Sequence, residues 1–207
     1  GRSRECGVVV YGPQFEHLEP RLLLSVSWDG GGDGVNWHDP VNWDGDLLPG
    51  ELDDVILDAG GTTVLFSTGD EQVNSLTSAS ALSLTGGRLS VIGDLQVNNV
   101  FTLDGGVLAD ANILAGSGGQ DLLLTGDIAS TLDGVTTAAD LMLTDADDRV
   151  IVLGGLTLSG STIRLGNDSV LTIGETQTID GAGSIIFSGA AATPGTIEMS
   201  DTAVVTL

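Results

Sequence analysis

The segment at residues 81–116 constrains the fold more than any other, because large apolar residues recur in it at nearly constant spacing. The first spacing is seven residues and the later ones are six, at Leu82, Leu89, Leu95, Phe101, Val107 and Ile113. Between them stand Gly-Gly, Gly-Asp, Asn-Asn, Asp-Gly-Gly and Asp-Ala-Asn. Glycine tolerates positive φ, and Asn and Asp side chains bond their own backbone, so each of these groups predicts a corner.

A chain that turns every half-dozen residues favours a β-solenoid, in which short strands and bends alternate on a fixed period. The i, i+3, i+4 spacing that indicates a helix is poorly represented. We therefore predict an all-β fold with little helix: a single-stranded parallel β-helix of roughly six to eight coils, each of about 20–24 residues. Outside the periodic segment, strands are predicted at residues 55–57, 64–66, 73–76, 122–124, 141–143, 150–153, 156–158, 163–165, 170–173, 185–187 and 197–199.

Composition and charge limit the core and the partners. Hydrophobic residues make up 41% of the chain but aromatic residues only 4%, so the core must be built from aliphatic rows. The net charge is −23, and all six basic residues are arginine. Such a surface repels phosphate backbones and anionic lipid, so nucleic acid is not an expected partner. It attracts divalent cations, although Asp also serves simply to form turns and to keep a long apolar rod soluble.

Two further classes are excluded by simple counts. Cys6 is the only cysteine, so the chain has no internal disulfide and no zinc or redox motif. No run approaches the ~18 consecutive apolar residues of a membrane span, so we expect no transmembrane segment.

Residues 1–27 differ from the rest of the chain, since Arg2, Arg4 and Arg21 are half of all the arginines. We interpret them as a poorly ordered export or sorting segment. Six residues in it carry a motif: Leu18, Glu19, Pro20, Arg21, Leu23 and Leu24. This run resembles the LEPR-XLL motif near the N-termini of very large, repetitive, exported proteins of planctomycetes and some other Gram-negative bacteria. The resemblance implies an address for export or surface sorting, hence an extracellular, cell-surface or outer-membrane-associated location.

Residues 28–54 contain all three tryptophans, Trp28, Trp37 and Trp43. A wide flat ring suits the open first coil of a solenoid, so we interpret this segment as an N-terminal cap. Exposed rings would instead suit a platform that stacks on sugars. The Trp…Asn-Trp…Leu-Pro-Gly…Asp-Asp-Val arrangement resembles the opening of bacterial surface β-helix proteins of the adhesin and autotransporter-passenger type. That resemblance implies a right-handed coil and carries no catalytic assignment.

The same segment is the richest in carboxylates, and its Gly-rich loop could bring several oxygens around one Ca²⁺. The candidate ligands are Asp29, Asp33, Asp39, Asp44 and Asp46. The run at residues 30–34 resembles a single imperfect copy of the calcium-binding nonapeptide of RTX proteins. We expect that no cofactor is required, with calcium as the one candidate. His38 is interpreted as a turn or cap residue, with metal ligation as the alternative.

Catalysis is the less favoured interpretation. Adjacent carboxylates occur at Asp53-Asp54 and Asp147-Asp148, but neighbours on one strand point to opposite faces and so cannot flank one glycosidic bond. The chain has no lysine to abstract a proton, and both histidines precede the repeats. Serine-nucleophile and phosphate-loop motifs are absent from the sequence.

The expected organisation is a sorting segment, a Trp-rich cap and β-helix repeats at residues 55–207. The last residues read as a strand, so we expect the repeats to continue in the native protein and this chain to self-associate through its solenoid ends. The favoured function is that of a non-enzymatic, exported, structural or adhesive surface protein that contacts surface polysaccharide or another cell-surface component. The alternatives are a polysaccharide-active β-helix enzyme with catalytic coils beyond residue 207, and a calcium- or carbohydrate-binding module.

Overall fold

The protein, for which we have a computed structural model, is an all-β solenoid of about six turns with parallel strand pairing. The predicted fold class is therefore confirmed. The structure describes residues 25–126, 128–189, 193–200 and 203–206. The sole helical element in these ranges is one 3-10 turn at Pro40–Asn42, and none of their helices is long and apolar enough to span a membrane.

The strands are short and follow each other closely along the chain. They are β1 (Ser25–Ser27), β2 (Asp54–Leu57), β3 (Thr63–Phe66), β4 (Asp70–Val73), β5 (Ser75–Ser78), β6 (Ala81–Leu84), β7 (Arg88–Val91), β8 (Asp94–Val97), β9 (Phe101–Leu103), β10 (Val107–Ala109), β11 (Asn112–Ile113), β12 (Leu122–Leu124), β13 (Ser130–Thr137), β14 (Leu141–Leu143), β15 (Arg149–Leu158), β16 (Thr162–Leu165), β17 (Val170–Ile173), β18 (Gln177–Gly181), β19 (Ser184–Phe187), β20 (Thr196–Met199) and β21 (Val205–Thr206).

Three strands make one coil, and equivalent strands of successive coils stack into three faces. Face 1 is β1-β2-β5-β8-β11, continued by the ends of β13 and β15 and by β18 and β21. Face 2 is the seven-stranded sheet β3-β6-β9-β12-β14-β16-β19. Face 3 is β4-β7-β10, continued by the starts of β13 and β15 and by β17 and β20. Because β13 and β15 run through a corner without a break, faces 1 and 3 form one 14-stranded sheet.

Apolar side chains form continuous rows along the interior of the solenoid because paired strands stay in register. On face 2, Leu82 pairs with Phe101 and Phe101 with Leu122, and each of them is at most 3% exposed. Alternate residues on these strands point outward, as the period of two requires. The core is therefore a stack of aliphatic rows, as the scarcity of aromatic residues predicted.

The six-residue period is wrong at Val107. In β10 the interior position belongs to Leu108, which pairs with Leu89 and is fully buried, whereas Val107 pairs with Arg88 on the outer surface. The corner before β10 contains Asp104-Gly105-Gly106, so Leu108 follows Phe101 by seven residues, as Leu89 follows Leu82, rather than by six. A one-residue shift moves a side chain to the opposite face, so period counting fails wherever a corner changes length.

Three predicted strands are also corrected. The run at residues 73–76 is divided between β4 and β5, with Asn74 at the corner between them. The runs at 150–153 and 156–158 are a single ten-residue strand, β15. The sequence reading missed β13 altogether, because its Thr-rich segment contains only two large apolar residues, Leu132 and Val135.

Coil length varies more than predicted. One coil takes 18 residues, from Leu95 to its partner Ile113, and another takes 26, from Ile173 to Met199. Strands of face 2 keep three or four residues, so most of the difference lies in the corners. Ser25–Ser27 form β1, although they belong to the segment at residues 1–27 that was expected to be poorly ordered; the rest of that segment lies outside the described residues.

Candidate functional site

A groove of about 590 Å³ runs along the corner between faces 3 and 1, across three successive coils. This corner grows from coil to coil. It takes three residues from Leu132 to Val135, four from Val152 to Leu156, and six from Ile173 to Ile179. The backbone steps outward with each addition, which opens a concave surface.

Glycines at the corner allow these steps. Gly134, Gly154 and Gly155 have φ values of +66°, +63° and +93°, which other residues rarely adopt. The register between β13 and β15 shifts at this point, so β15 carries one extra residue as a β-bulge. Gly within a strand run is the sequence signal for such a bulge, and it could have located this groove.

Side chains of the widest coil satisfy the backbone groups that the bulge leaves unpaired. Glu175 Oε1 accepts a hydrogen bond from Gly154 N at 2.8 Å. Gln177 Oε1 accepts one from Gly155 N at 2.8 Å, and its Nε2 donates to Val152 O at 2.6 Å. The groove is therefore held in shape by hydrogen bonds between coils.

Polar side chains in register line the groove. Thr136 pairs with Thr157, and Thr157 pairs with Asp180, so two hydroxyls and a carboxylate follow one another on face 1. Glu175 and Gln177 add a second carboxylate and an amide. The lining contains no arginine and no aromatic ring. It offers hydrogen-bond donors and acceptors to a polar, uncharged ligand and repels an anionic one.

Two carboxylates meet at a different corner. Burial raises the pKa of Asp121 above its usual value, and the charge of Asp140 raises it further, while Arg164 opposes both effects. Asp140 Oδ1 accepts a hydrogen bond from Thr162 N at 2.7 Å, and its Oδ2 lies 3.4 Å from Arg164 Nη2. A raised carboxyl pKa, as in Asp121, is a property of general acids. The neighbouring Asp140, however, uses both of its oxygens to bind Thr162 and Arg164 of the next coil.

The three tryptophans lie against the first coil. Trp37 and Trp43 are fully buried and Trp28 is 6% exposed. The ring centroids of Trp37 and Trp43 are 4.7 Å apart in an edge-to-face arrangement, and Trp37 lies 5.6 Å from Phe66 of β3. Trp43 Nε1 donates to Trp37 O at 2.7 Å. Buried rings present no face on which a sugar could stack, so Trp37 and Trp43 do not form a sugar platform.

The cap backbone also covers the first strands. β1 pairs in parallel with β2, Trp37 N donates to Leu65 O at 2.9 Å, and Leu65 N donates to Val35 O at 2.8 Å. The free edges of β2 and β3 are therefore satisfied by the segment that was predicted to form the cap.

The carboxylates named for calcium shape the cap loop. Asp33 Oδ1 accepts hydrogen bonds from Val35 N, Asn36 N and Asn42 Nδ2 at 2.8–2.9 Å. These donors lower the pKa of Asp33, with Asn36 N as the largest cause. Asp39 accepts from Asp33 N at 3.0 Å and from Val41 N at 3.1 Å.

The amide of Asn42 holds the centre of this loop. It is fully buried, accepts from Gly32 N and Gly34 N, and donates to Asp33 Oδ1 and to Asn36 O. Asp29 accepts from Gly31 N, while Asp44 and Asp46 are exposed. Over the described ranges no group of three or more His, Cys, Asp or Glu side chains converges. Calcium binding here stays a hypothesis, to be tested by comparing melting midpoints in Ca²⁺ and in EGTA.

The remaining predicted residues are dispersed. His38 Nε2 lies 3.4 Å from Glu71 Oε1, and its ring packs 4.9 Å from Phe66, so His38 sits between the cap and the first coil. Of the adjacent carboxylates, Asp54 accepts from Ser75 Oγ and Asn74 Nδ2, which lower its pKa in that order. Asp148 is buried, and that burial raises its pKa.

The sorting motif, at Leu18, Glu19, Pro20, Arg21, Leu23 and Leu24, lies outside the described residues. Comparisons with protein-family models, with curated proteins and with solved structures found no match.

Proposed function

We propose that this chain is part of a non-enzymatic, exported surface protein whose solenoid presents the corner groove to a neutral polysaccharide. The groove carries the proposal, because it is an open polar surface that spans three coils and is held in shape between coils. A repeating linear ligand suits a surface that repeats along the solenoid axis. The resemblance of residues 18–24 to the LEPR-XLL motif supports export to the cell surface.

The chemistry of the groove selects the ligand class. Thr136 and Thr157 hydroxyls and the Gln177 amide bind hydroxyl groups by exchanging hydrogen bonds. The carboxylates Glu175 and Asp180, in a chain of net charge −23, disfavour uronic-acid polymers. Because the lining has no aromatic ring, affinity must come from many weak contacts along the polymer.

Affinity electrophoresis of the purified chain in gels containing neutral or uronate polysaccharides tests the proposal. A neutral polymer should retard the chain and a uronate polymer should not. Thr157→Val removes a hydroxyl from the groove at nearly constant volume and should weaken retardation. Thr102→Val, at an outward position of β9 on face 2, is the matched control and should bind as the parent does. If no neutral polymer retards the chain, or if both variants bind equally, the groove is not the binding site.

One specific observation favours the alternative of a polysaccharide-active enzyme: Asp121 lies near Asp140 and has a raised pKa. Release of reducing ends or unsaturated products from the same polymers tests this alternative. Product formation that is lost in Asp121→Asn would replace the binding function with a catalytic one.

A further inference from the structure

Face 2 differs from the other two faces because its strands carry almost no charge. They contain one charged residue, Arg164, and no carboxylate, although the chain has 29 Asp and Glu residues. Strands of the other faces do carry carboxylates, such as Asp54 and Asp94 on face 1 and Asp70 and Asp133 on face 3. Within the described stack, face 2 is therefore the face on which two molecules of this acidity can meet without bringing carboxylate-bearing strands together.

The outward side chains of face 2 form one straight row, because its strands keep one register. Each residue of this face 2 row pairs with the next one, and all of them are half-buried: Leu65, Ser83, Thr102, Leu123, Met142 and Arg164, in the first to the sixth coil. The second and third positions are small and polar, whereas the fourth and fifth are long and apolar. The row therefore has a hollow followed by a ridge of equal length.

We propose that two copies of this chain pack face 2 against face 2, about a twofold axis that runs along the strands and lies between the third and fourth coils. Rotation about this axis reverses the order of the coils, so Leu123 of each copy lies over the partner's Thr102, and Met142 lies over the partner's Ser83. Each ridge then fills the hollow of the other copy. The contact uses the same surface of both copies, so the assembly closes at two.

The border of face 2 agrees with this orientation. Asp121 and Asp140 precede the first residues of β12 and β14, and in register with them the earlier coils carry Val100 and Ala81. Because the rotation reverses the coil order, the two carboxylates lie across from Val100 and Ala81 of the other copy and not across from the same carboxylates.

A twofold axis along the solenoid would give a poorer fit. Each coil would then face the same coil of the other copy, so Leu123 would meet Leu123 and Met142 would meet Met142, while Ser83 would face Ser83 across a gap. Large residues would crowd at one end of the contact and small residues would leave space at the other.

The contact is small and lies away from the glycan groove. Six strands spaced about 4.8 Å apart, each with up to four residues that rise about 3.3 Å, cover roughly 400 Å² of each copy. The total is below the roughly 1,200–2,000 Å² of stable complexes, so the association is weak and depends on concentration. The groove follows the corner between faces 3 and 1, opposite face 2. Pairing through face 2 leaves both grooves open, and it does not depend on the proposed glycan binding.

Sedimentation of the full chain over a wide concentration range, at low and at moderate NaCl, tests the association. The mass should rise towards twice that of the monomer. Salt should strengthen the association, because it screens the repulsion between two chains of net charge −23 and the contact has no ion pair between copies. Leu123→Glu should weaken association at least tenfold, because it buries an unpaired carboxylate. Ile56→Glu, at an outward position of face 1, adds the same charge and should associate as the parent does.

Fluorescence of the buried Trp37 and Trp43 and the melting temperature verify that both variants fold. A monomer at every concentration would overturn the proposal. So would an association that salt weakens, or one that the two variants weaken equally.

Cross-linking in a Cys6→Ser background tests the orientation without adding a charge. A thiol reagent that spans less than two coil spacings, about 10 Å, should link Ser83→Cys chains to Met142→Cys chains in a mixture. It should not link Ser83→Cys chains to each other, because in the proposed pair these positions lie three coils apart, about 14 Å along the axis. Thr77→Cys, at an outward position of face 1, is the control and should link to neither. Self-linking of Ser83→Cys, or no link in the mixture, would overturn the proposal.

Discussion

Individual polar side chains in this solenoid complete the backbone hydrogen bonds that the strand ladders leave open. Asn42 uses its whole amide within the cap loop, and Gln177 bridges the bulge at Gly155. Buried or strained backbone needs such partners, because an unpaired buried amide costs about 1–3 kcal/mol. The unpaired backbone groups at these corners therefore explain why Asp, Asn and Gln occur there.

Asp33→Ala should destabilise the protein in a pH-dependent way. Hydrogen bonds from Asn36 N, Asn42 Nδ2 and Val35 N, in that order, lower the pKa of Asp33 in the folded state below 3.8. At a pH between the folded and unfolded pKa values of Asp33, the unfolded chain binds more protons than the folded one. The stabilisation by the Asp33 carboxylate is therefore fully present above the unfolded pKa and is lost as the pH falls through the folded pKa. Thermal melting should show a gap between parent and variant at neutral pH that narrows below about pH 4. Asp44→Ala is the exposed control, and a gap independent of pH would contradict the assignment.

Gly87→Ala should be more destabilising than Gly119→Ala, although both residues have nearly the same backbone conformation. Their φ values are +71° and +74°, so each variant suffers the strain of a left-handed residue, about 1 kcal/mol. A Cβ at Gly87 would also lie 2.5 Å from the Thr68 carbonyl carbon, whereas one at Gly119 meets nothing within 4 Å. Overpacking adds about 1–3 kcal/mol. Urea denaturation measures the free energy of unfolding of both variants. Equal losses of stability would show that contact with the neighbouring coil does not exclude a Cβ at Gly87.

Among the structural elements, the corners vary most in length from coil to coil, whereas the strands of face 2 vary little. Strands of face 2 keep three or four residues and one register throughout the stack, while the corner between faces 3 and 1 doubles in length over three coils. The cap behaves as one element too, since its strand β1, its loop and its rings all contact the first coil. The groove and the closed N-terminal end both arise from these irregular parts.

Within the cap, Trp43→Phe should cost more stability than Trp37→Phe. Both indoles are fully buried, so the two variants lose similar apolar contacts. Trp43 Nε1 donates to Trp37 O, whereas Trp37 Nε1 is buried and has no hydrogen-bond partner among the residues that the structure describes. Trp43→Phe therefore leaves a carbonyl unpaired and should cost about 1 kcal/mol more. Urea midpoints compare the two variants, and a larger loss in Trp37→Phe would show that ring packing outweighs this hydrogen bond.

The described part of the molecule is a linear stack in which each coil pairs with its neighbours, so negative charge accumulates along the stack. A net charge of −23 on 207 residues opposes the compact state through self-repulsion. The ion pairs that oppose it are few in the described ranges, such as Arg88 with Asp133 at 2.9 Å and Arg164 with Asp140 at 3.4 Å.

Moderate NaCl should therefore raise the melting temperature of the whole chain. Salt screens the many repulsive carboxylate pairs and also weakens the few ion pairs, and the repulsive contribution is the larger. Melting from low salt to near-physiological ionic strength measures the effect, and Arg88→Gln should increase the salt dependence because it removes an attractive partner. A melting temperature that falls with salt would mean that the ion pairs dominate.

Much of the fold was readable from residues close together in the chain. The spacing of Leu82, Leu89 and Leu95 between glycine- and asparagine-rich corners determined a coiled path, and the scarcity of rings determined an aliphatic bore, because both depend on local turn chemistry and on composition. The clustering of Trp28, Trp37 and Trp43 ahead of the repeats predicted a cap, and in the structure Trp37 packs against Phe66 of the first coil.

Only the tertiary structure decided where the groove lies and which hydrogen bonds the carboxylates accept. Whether Val107 or Leu108 faces the bore, and whether Gly154 and Gly155 open a groove, depends on register between strands about twenty residues apart. Asp33 is of a residue type that ligates calcium, and only the fold shows that the amide of Asn42 donates a hydrogen bond to its carboxylate. Local sequence specifies where the chain can turn, whereas stacking against the neighbouring coil selects which side chains meet.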